Sequence, residues 1–207
     1  MVENTRPIAA DDFFDSTEDI QLTGNVLNAN PTNLDFDADG DPLSVIGLDG
    51  VGRNQVGPWT EEVSHANGPA DETIGSITLA SDGSFTFDAN NFYPAGYTEV
   101  GAITYTISDG NGTDTGKIFI TVNGANDAPI ARDDSYSINR NEFFSDNVLN
   151  GSGGGYDYDP DFFYQNGSYG GRREVISVTA INGDTSAVGV ETALLGGGSL
   201  IIEQDGS

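Results

Sequence analysis

Four aspartates occupy alternate positions in one short segment of this 207-residue chain. They are Asp35, Asp37, Asp39 and Asp41, and Gly40 stands among them. So many neighbouring carboxylates repel one another and destabilise a compact fold unless a cation lies between them. Oxygen ligands in this number suit Ca²⁺ better than Mg²⁺ or Zn²⁺, and Gly40 can supply the positive φ of a turn around an ion. The segment therefore predicts a calcium site, with a solvated acidic turn as the alternative.

The composition of the whole chain is compatible with bound cations. The 33 acidic and 7 basic side chains give a formal charge of −26, which argues against nucleic acids and anionic membranes as partners. A hydrophobic content of 36% is enough for packed cores, so neutralisation by cations is favoured over disorder. The absence of cysteine excludes disulfides and thiolate metal sites.

The sequence also bears on membranes and export. It contains no run of 18 apolar residues, so no membrane insertion is expected. The first residues do not resemble a secretory signal, and we expect either an export signal outside this sequence or a fragment of a longer protein.

The chain contains an internal repeat. Three segments recur 122 or 123 positions later: 7–12 at 129–134, 25–28 at 147–150, and 82–84 at 205–207. This pattern predicts two tandem modules, residues 1–127 and residues 128–207. The second module stops at the point where the first still has its last strands to come.

Most of the chain is predicted to form short strands. Alternation of apolar and polar residues, bounded by turn residues, predicts strands at 43–48, 73–80, 84–87, 102–107, 117–122, 174–181 and 199–202. No stretch has the periodicity of an amphipathic helix. The number and spacing of the strands predict an all-β chain made of immunoglobulin-type β-sandwiches, the second one truncated.

A long loop is predicted at 51–72, and it contains the only tryptophan and the only histidine. Trp59 could stack on a sugar ring or contact a protein, or it could pin the loop onto the sandwich. His65 could bind a transition metal with Glu61 and Glu62, although a histidine in such a loop is usually exposed to solvent. A carbohydrate- or protein-binding module is therefore one alternative function.

Several segments taken together resemble the bacterial cadherin-like tandem repeats of large calcium-dependent surface adhesins. The segments that carry the resemblance are 7–12, 18–19, 25–27, 35–43, 82–85, 105–112 and 126–129. The resemblance implies a calcium-binding sandwich that serves as a rigid extender in cell adhesion or biofilm formation. It also implies a location outside the cell, in secreted or surface-bound proteins, and no enzymatic activity.

The resemblance also implies a set of calcium ligands. Carried over by position, they are Asp12, Glu18, Asp19, Asp35, Asp37, Asp39, Asp41, Asp109, Asn126, Asp127, Asp133, Asp134, Asp157, Asp159 and Asp161. Asp109, Asn126 and Asp127 are expected to meet Asp133 and Asp134 where the modules join. Thr5 stands at the position equivalent to Asp127, so a site before the first module should be incomplete.

The expected partners are neighbouring repeats of the same polypeptide and, beyond them, a host or matrix glycan or protein. The truncated second module could also exchange strands with another chain, because unpaired strand edges recruit other strands. An accessory domain of a secreted enzyme is a further alternative. With one histidine and no cysteine, the chain offers no credible pair of nucleophile and base, and we expect no catalysis.

Overall fold

The computed structural model describes residues 4–28, 34–50, 56–66, 73–90, 93–150, 154–161, 175–195 and 197–207. The chain divides into two compact units, the first ending at Asn126 and the second beginning at Asp127. The division lies one residue before the predicted boundary. Strands dominate, and the described residues form no α-helix, so the predicted all-β class is confirmed.

The first unit is a β-sandwich built around one continuous set of eight strands. They are β1 (Asp12–Thr17), β2 (Leu22–Asn25), β3 (Ser44–Leu48), β4 (Trp59–His65), β5 (Thr73–Leu79), β6 (Ser84–Ala89), β7 (Thr98–Ser108) and β8 (Thr113–Asn123). A 3₁₀ turn, Val26–Asn28, follows β2. The order of pairing is β1-β8-β7-β4-β5-β6-β2, with β3 also paired to β7. β1 runs parallel to β8, and all the other pairs are antiparallel.

The core follows from side-chain alternation along the strands. In β8 the even-numbered residues Ile118, Ile120 and Val122 are buried, while the odd-numbered ones point outward. The same alternation buries Phe85 and Phe87 on β6. The predicted strands of residues 43–48, 73–80, 84–87, 102–107 and 117–122 are confirmed, with small shifts at their ends.

The prediction of a loop at 51–72 is wrong for its middle part, because β4 lies there. This strand pairs with β5 over most of its length and with β7 at His65. Its inward face is formed by Trp59, Val63 and His65, which are all buried. Two adjacent glutamates and a histidine hide the alternation in the sequence, so the strand reads there as a polar loop. Residues 51–55 and 67–72 of the predicted loop lie outside the described residues.

The second unit contains little regular structure in its described residues. Two short antiparallel strands, β9 (Thr192–Ala193) and β10 (Ser199–Leu200), are paired with each other. Residues 175–181, predicted as part of a strand, form none. They make only isolated backbone contacts, such as the hydrogen bond from the Val178 amide to the Gln204 carbonyl at 2.9 Å. Residue 174 lies outside the described residues.

Equivalent residues of the two units nevertheless make the same local contacts. The amide of Asn25 donates to the Asp82 carbonyl at 2.9 Å, and the amide of Asn147 donates to the Asp205 carbonyl at 2.7 Å. The bridge between Ile8 and Phe36 likewise recurs 122 positions later. Burial differs, however: Ile77 is fully buried, whereas Leu200, 123 positions later, is 40% exposed. A second complete sandwich is not present among the described residues.

Candidate metal centre

The acidic segment forms a tight turn over Asp37 to Gly40. The amide of Gly40 donates to the Asp37 carbonyl at 3.2 Å, and Gly40 has a φ of 81°. This is the positive φ predicted from the sequence. Oδ1 of Asp37 accepts hydrogen bonds from the backbone amides of Asp39 at 2.8 Å and Asp41 at 3.2 Å. The turn thus fixes the direction of the Asp37 carboxylate.

Residues 4 and 5 hold two aspartates, Asp39 and Asp109, at one end of the first unit, and Asp37 contacts the backbone of Asp39. Oδ2 of Asp39 accepts hydrogen bonds from the Thr5 amide at 2.6 Å and from the Thr5 hydroxyl at 2.9 Å. Oδ2 of Asp109, in the turn between β7 and β8, accepts one from the Asn4 side chain at 3.0 Å. Because Asn4 and Thr5 are adjacent, they bring the two carboxylates close enough to repel each other. We call Asn4, Thr5, Asp37, Asp39 and Asp109 the amino-terminal acidic cluster.

Hydrogen bonds keep two carboxylates of this cluster ionised. The amide and then the hydroxyl of Thr5 hold the pKa of Asp39 below its ordinary value. The amides of Gly112 and Asn111 do the same for the pKa of Asp109. Oδ2 of Asp37 is buried and has no hydrogen-bond partner, which is costly for a carboxylate oxygen. The cluster therefore combines negative charge with an unsatisfied oxygen, and both favour a cation.

Asp35 lies apart from this cluster, in the interior of the sandwich. Asp35 and Asp12 are 7% and 1% exposed, and the Tyr105 hydroxyl lies 2.9 Å from Oδ2 of Asp35 and 3.1 Å from Oδ2 of Asp12. The same hydroxyl is 2.8 Å from the Ala10 carbonyl, and the Ala10 amide donates to Oδ1 of Asp35 at 2.7 Å. One hydroxyl has one hydrogen, so Tyr105 cannot donate to all three acceptors at once.

Burial dominates the electrostatics of this interior pair. Desolvation raises the pKa of Asp12 from 3.8 to about 7, against the lowering effect of the Tyr105 hydrogen bond. Repulsion from Asp35 and Asp11 adds to the rise. The pKa of Asp35 is also raised, chiefly by burial. The charged forms of Asp12 and Asp35 are therefore disfavoured, unlike those of Asp39 and Asp109.

The four aspartates of the acidic segment, Asp35, Asp37, Asp39 and Asp41, do not converge on one centre in the structure, and their role as calcium ligands stays a prediction. Among the residues that the structure describes, no three carboxylate or imidazole side chains are grouped so that they could hold a metal ion. The physical reason is that these aspartates form hydrogen bonds with different parts of the sandwich. Asp35 is held by Ala10 and Tyr105, whereas Asp39 is held by Thr5.

The structure does not bring Asp109 to Asn126. Asp109 precedes β8 and Asn126 follows it, so the two lie at opposite ends of an 11-residue strand. Such a strand is about 35 Å long. Asp109 instead contacts Asn4, which stands 122 positions before Asn126. Asp109 thus contacts the segment that precedes its own module, not the segment that follows it.

Glu18 lies at the end of the sandwich where β8 leaves. It is buried, and its two carboxylate oxygens accept hydrogen bonds from the amides of Tyr93 at 2.7 Å and Ala125 at 2.6 Å. The carboxylate thereby fixes the chain just before Asn126. Asp19, the next residue, is exposed.

The second unit repeats part of this arrangement. Oδ1 of Asp157 accepts from the Arg132 amide at 2.7 Å, as Asp35 does from Ala10. Oδ2 of Asp161 accepts from the Asp127 amide at 3.1 Å, and the Asp161 amide donates to Oδ1 of Asp159 at 3.0 Å. Asp159 and Asp161 are buried. The remaining predicted ligands of this unit are Asp133, which is exposed, and Asp134, which is half-buried.

Comparison of the sequence with known protein families gives a match. A family model described as a bacterial cadherin-like domain matches residues 4–124, which is more than half of the chain and spans the sandwich. The chain belongs to the bacterial cadherin-like family. No curated protein matches it. The family is typically non-catalytic. Within the described residues, no helix has the length and apolar character needed to span a membrane.

Trp59 and His65 contribute to the interior of the bacterial cadherin-like domain. Trp59 is 5% exposed, and its indole packs so closely on Gly57 that a side chain there would overlap it. His65 is 8% exposed, and its Nδ1 lies 2.8 Å from Oε1 of Glu99. The expectation of a solvent-exposed histidine is therefore wrong. The structure favours the packing interpretation of Trp59 and offers neither side chain to a ligand at the surface.

Sequence reasoning missed three residues that organise the carboxylates of the bacterial cadherin-like domain. The sequence assigns no role to the Tyr105 hydroxyl, and it predicts no contact of Asn4 or Thr5 with Asp39 or Asp109. One signal was present for Asn4, because it stands one repeat before Asn126. No local signal marks the Tyr105 hydroxyl, because its partners lie 70 and 93 positions away in the chain.

Proposed function

We propose that this chain is a non-catalytic, calcium-binding extender module of a bacterial extracellular adhesin. The observation that carries the proposal is the amino-terminal acidic cluster. Asp39 and Asp109 are held ionised beside each other, and Asp37 adds a buried oxygen without a hydrogen-bond partner. Membership of the bacterial cadherin-like family supports the same conclusion.

The oxygen donors of the cluster have the chemistry that Ca²⁺ prefers. Calcium accepts six to eight oxygen ligands from carboxylates, amide carbonyls and water, with flexible geometry. Asp37, Asp39 and Asp109 would supply carboxylate oxygens, and Asn4 an amide oxygen. In the structure the three carboxylates are not grouped closely enough to hold an ion by themselves, so we expect side chains to move towards the ion and water or a neighbouring repeat to complete the coordination. A bound Ca²⁺ would supply the positive charge that this cluster lacks.

The consequence for function is mechanical. Asn4 and Thr5 precede β1, and Asp109 lies in the β7–β8 turn, so an ion shared by them would tie the entering chain to the body of the sandwich. Repulsion among carboxylates would loosen the same segment without the ion. Calcium outside cells is concentrated enough to fill even weak sites. The module would therefore be stiff outside the cell, where it would space a binding domain away from the bacterial surface.

Calorimetric titration with Ca²⁺ tests the proposal directly. The double variant Asp39→Asn and Asp109→Asn should bind fewer ions, or bind them at least about tenfold more weakly, because it loses two charged ligands. The matched control is Asp49→Asn with Glu62→Gln, which removes two exposed charges elsewhere. Small-angle scattering of the wild type should also give a shorter or broader distribution of lengths in chelator. Identical titrations for all three proteins would contradict the proposal.

A further inference from the structure

The outward face of the β7–β8 hairpin carries no carboxylate, although the chain has 33 acidic residues. Even-numbered residues of β7 and odd-numbered residues of β8 point outward. They are Thr98, Val100, Ala102, Thr104 and Ser108 on β7, and Thr113, Thr115, Lys117, Phe119, Thr121 and Asn123 on β8; Thr106 lies on the same side but is buried. A strongly acidic molecule can approach this face with less repulsion than it meets from the chain as a whole.

A pair of stacked phenyl rings, one exposed and one half-buried, lies at the edge of the same face. Phe13 of β1 is 69% exposed, and its ring stacks on that of Phe119 with centroids 5.0 Å apart and planes at 6°. Exposed apolar patches of this kind mark interaction surfaces more often than single scattered residues do. The pair follows from the register of the parallel strands, which sets Phe13 beside Phe119.

One lysine and two aspartates adjoin the aromatic pair: Lys117 and Asp11 on one side of it, and Asp15 on the other. Lys117 is the only lysine of the chain, and its backbone amide donates to Oδ1 of Asp11 at 2.9 Å. Asp11 and Lys117 thus form one row across the two strands, and Phe13 and Phe119 form the next. Within the described residues the single salt bridge is that of His65 with Glu99, so the Lys117 ammonium forms none there.

We propose that this face binds a second copy of the same chain, face to face, about a two-fold axis parallel to β1 and β8. Such an axis places β1 of one copy over β8 of the other. Each row of one copy then faces the same row of the second copy. Asp11 then meets Lys117 of the second copy, and Phe13 meets Phe119 of the second copy. Because a two-fold interface repeats every contact, the ion pair and the aromatic contact each occur twice. A two-fold axis perpendicular to the strands would instead oppose Asp11 and Asp15, which have like charge.

Self-association is favoured over other occupants by charge. Each copy presents one lysine, two aspartates and two phenyl rings on this face. Under this symmetry Lys117 meets Asp11 and Asp15 lies opposite Thr121, so no like charges are opposed, whereas a polyanion would find a single lysine. Two phenyl rings and one ion pair per copy are few contacts for a stable interface, which buries roughly 800 Å² per partner, so an isolated pair of chains should associate weakly. Copies held side by side on a surface would gain affinity from their high effective concentration.

Sedimentation equilibrium of the full chain tests the association, with Ca²⁺ present and at protein concentrations up to about a millimolar. The wild type should show a monomer–dimer equilibrium. Phe13→Ser and Lys117→Glu should each weaken it at least about tenfold, because each contact is lost twice. The matched control is Ile20→Ser, which removes a similarly exposed apolar side chain from the turn after β1. This control should dimerise like the wild type.

Zero-length carboxyl–amine cross-linking locates the interface. In a mixture of ¹⁴N- and ¹⁵N-labelled chains, a mixed-isotope peptide joining Lys117 to Asp11 can arise only between copies. Combining Lys117→Glu with Asp11→Lys should restore the dimer that Lys117→Glu loses. A wild type that stays monomeric, a dimer that survives both Phe13→Ser and Lys117→Glu, or a failure of the charge swap to restore it would overturn the proposal.

Discussion

The aspartates that look alike in the sequence have opposite electrostatic environments in the folded protein. Thr5 and the amides of the β7–β8 turn stabilise the charged forms of Asp39 and Asp109. Burial destabilises the charged forms of Asp12 and Asp35, and Tyr105 compensates only in part. Asp39 and Asp109 are therefore suited to binding a cation, whereas burial of Asp12 and Asp35 lowers the stability of the fold when they are charged.

This cost predicts a pH dependence of stability that depends on Asp12. Its pKa is about 7 in the folded protein against 3.8 for the unfolded side chain, so folding takes up a proton between these values. The cost is absent below pH 3.8, grows as the pH rises, and is complete above pH 7. In chelator, Tm should fall between pH 5.5 and pH 8, and Asp12→Asn should raise Tm at pH 8 and flatten the slope.

Thermal melts at several pH values measure this effect, and Asp15→Asn on the same strand is the control. Asp15 is exposed, so its removal changes the net charge equally and should leave the slope as it is in the wild type. An Asp12→Asn variant with the slope of the wild type would show that burial of this carboxylate has no such cost.

At the scale of the strands, close approach of backbone decides what the sandwich tolerates. The register between β4 and β5 shifts at Val63 and Ser64, opposite Gly75. Gly75 has a φ of 154°, and a Cβ there would overlap the carbonyl oxygen of Asp88 on β6. The glycine is thus required both by its conformation and by the packing of the neighbouring strand.

Gly75→Ala should therefore destabilise the first unit by about 3 kcal/mol or more, from backbone strain combined with overlap. Gly96→Ala is the matched control, because Gly96 also has a positive φ of 84° but no atom lies within 4 Å of the added Cβ. It should cost only about 1 kcal/mol. Urea denaturation measures both, and equal losses would show that packing against β6 contributes nothing.

The pattern of side chains along each strand determines how much of the fold can be predicted from the sequence. β6, β7 and β8 alternate apolar and polar residues cleanly, so their existence follows from the sequence. β1 was missed because it begins with a buried aspartate, and β4 because glutamates interrupt its pattern. The sequence predicts that the aspartates are candidate ligands. It does not predict that Asp39 is bound by Thr5 and Asp35 by Tyr105, because these partners come from distant parts of the chain.

For the whole molecule, the formal charge of −26 must be reconciled with compact structure. The first unit buries a complete apolar core, whereas the described part of the second leaves large apolar side chains such as Phe143 and Leu195 exposed. Exchange of strands with another chain stays a prediction for that unit. Bound calcium would reduce the repulsion in both units, since each places aspartates beside the segment that enters it.

The most direct test of calcium as part of the fold is the melting temperature of the chain in Ca²⁺ and in chelator. At a free Ca²⁺ concentration about 100 times the dissociation constant, one site adds about 2.7 kcal/mol of stability, which corresponds to roughly 10 °C in a domain of this size. We expect a rise of this order in the wild type and a much smaller one after Asp39→Asn with Asp109→Asn. A melting temperature that is the same in calcium and in chelator would contradict the role of calcium proposed for this chain.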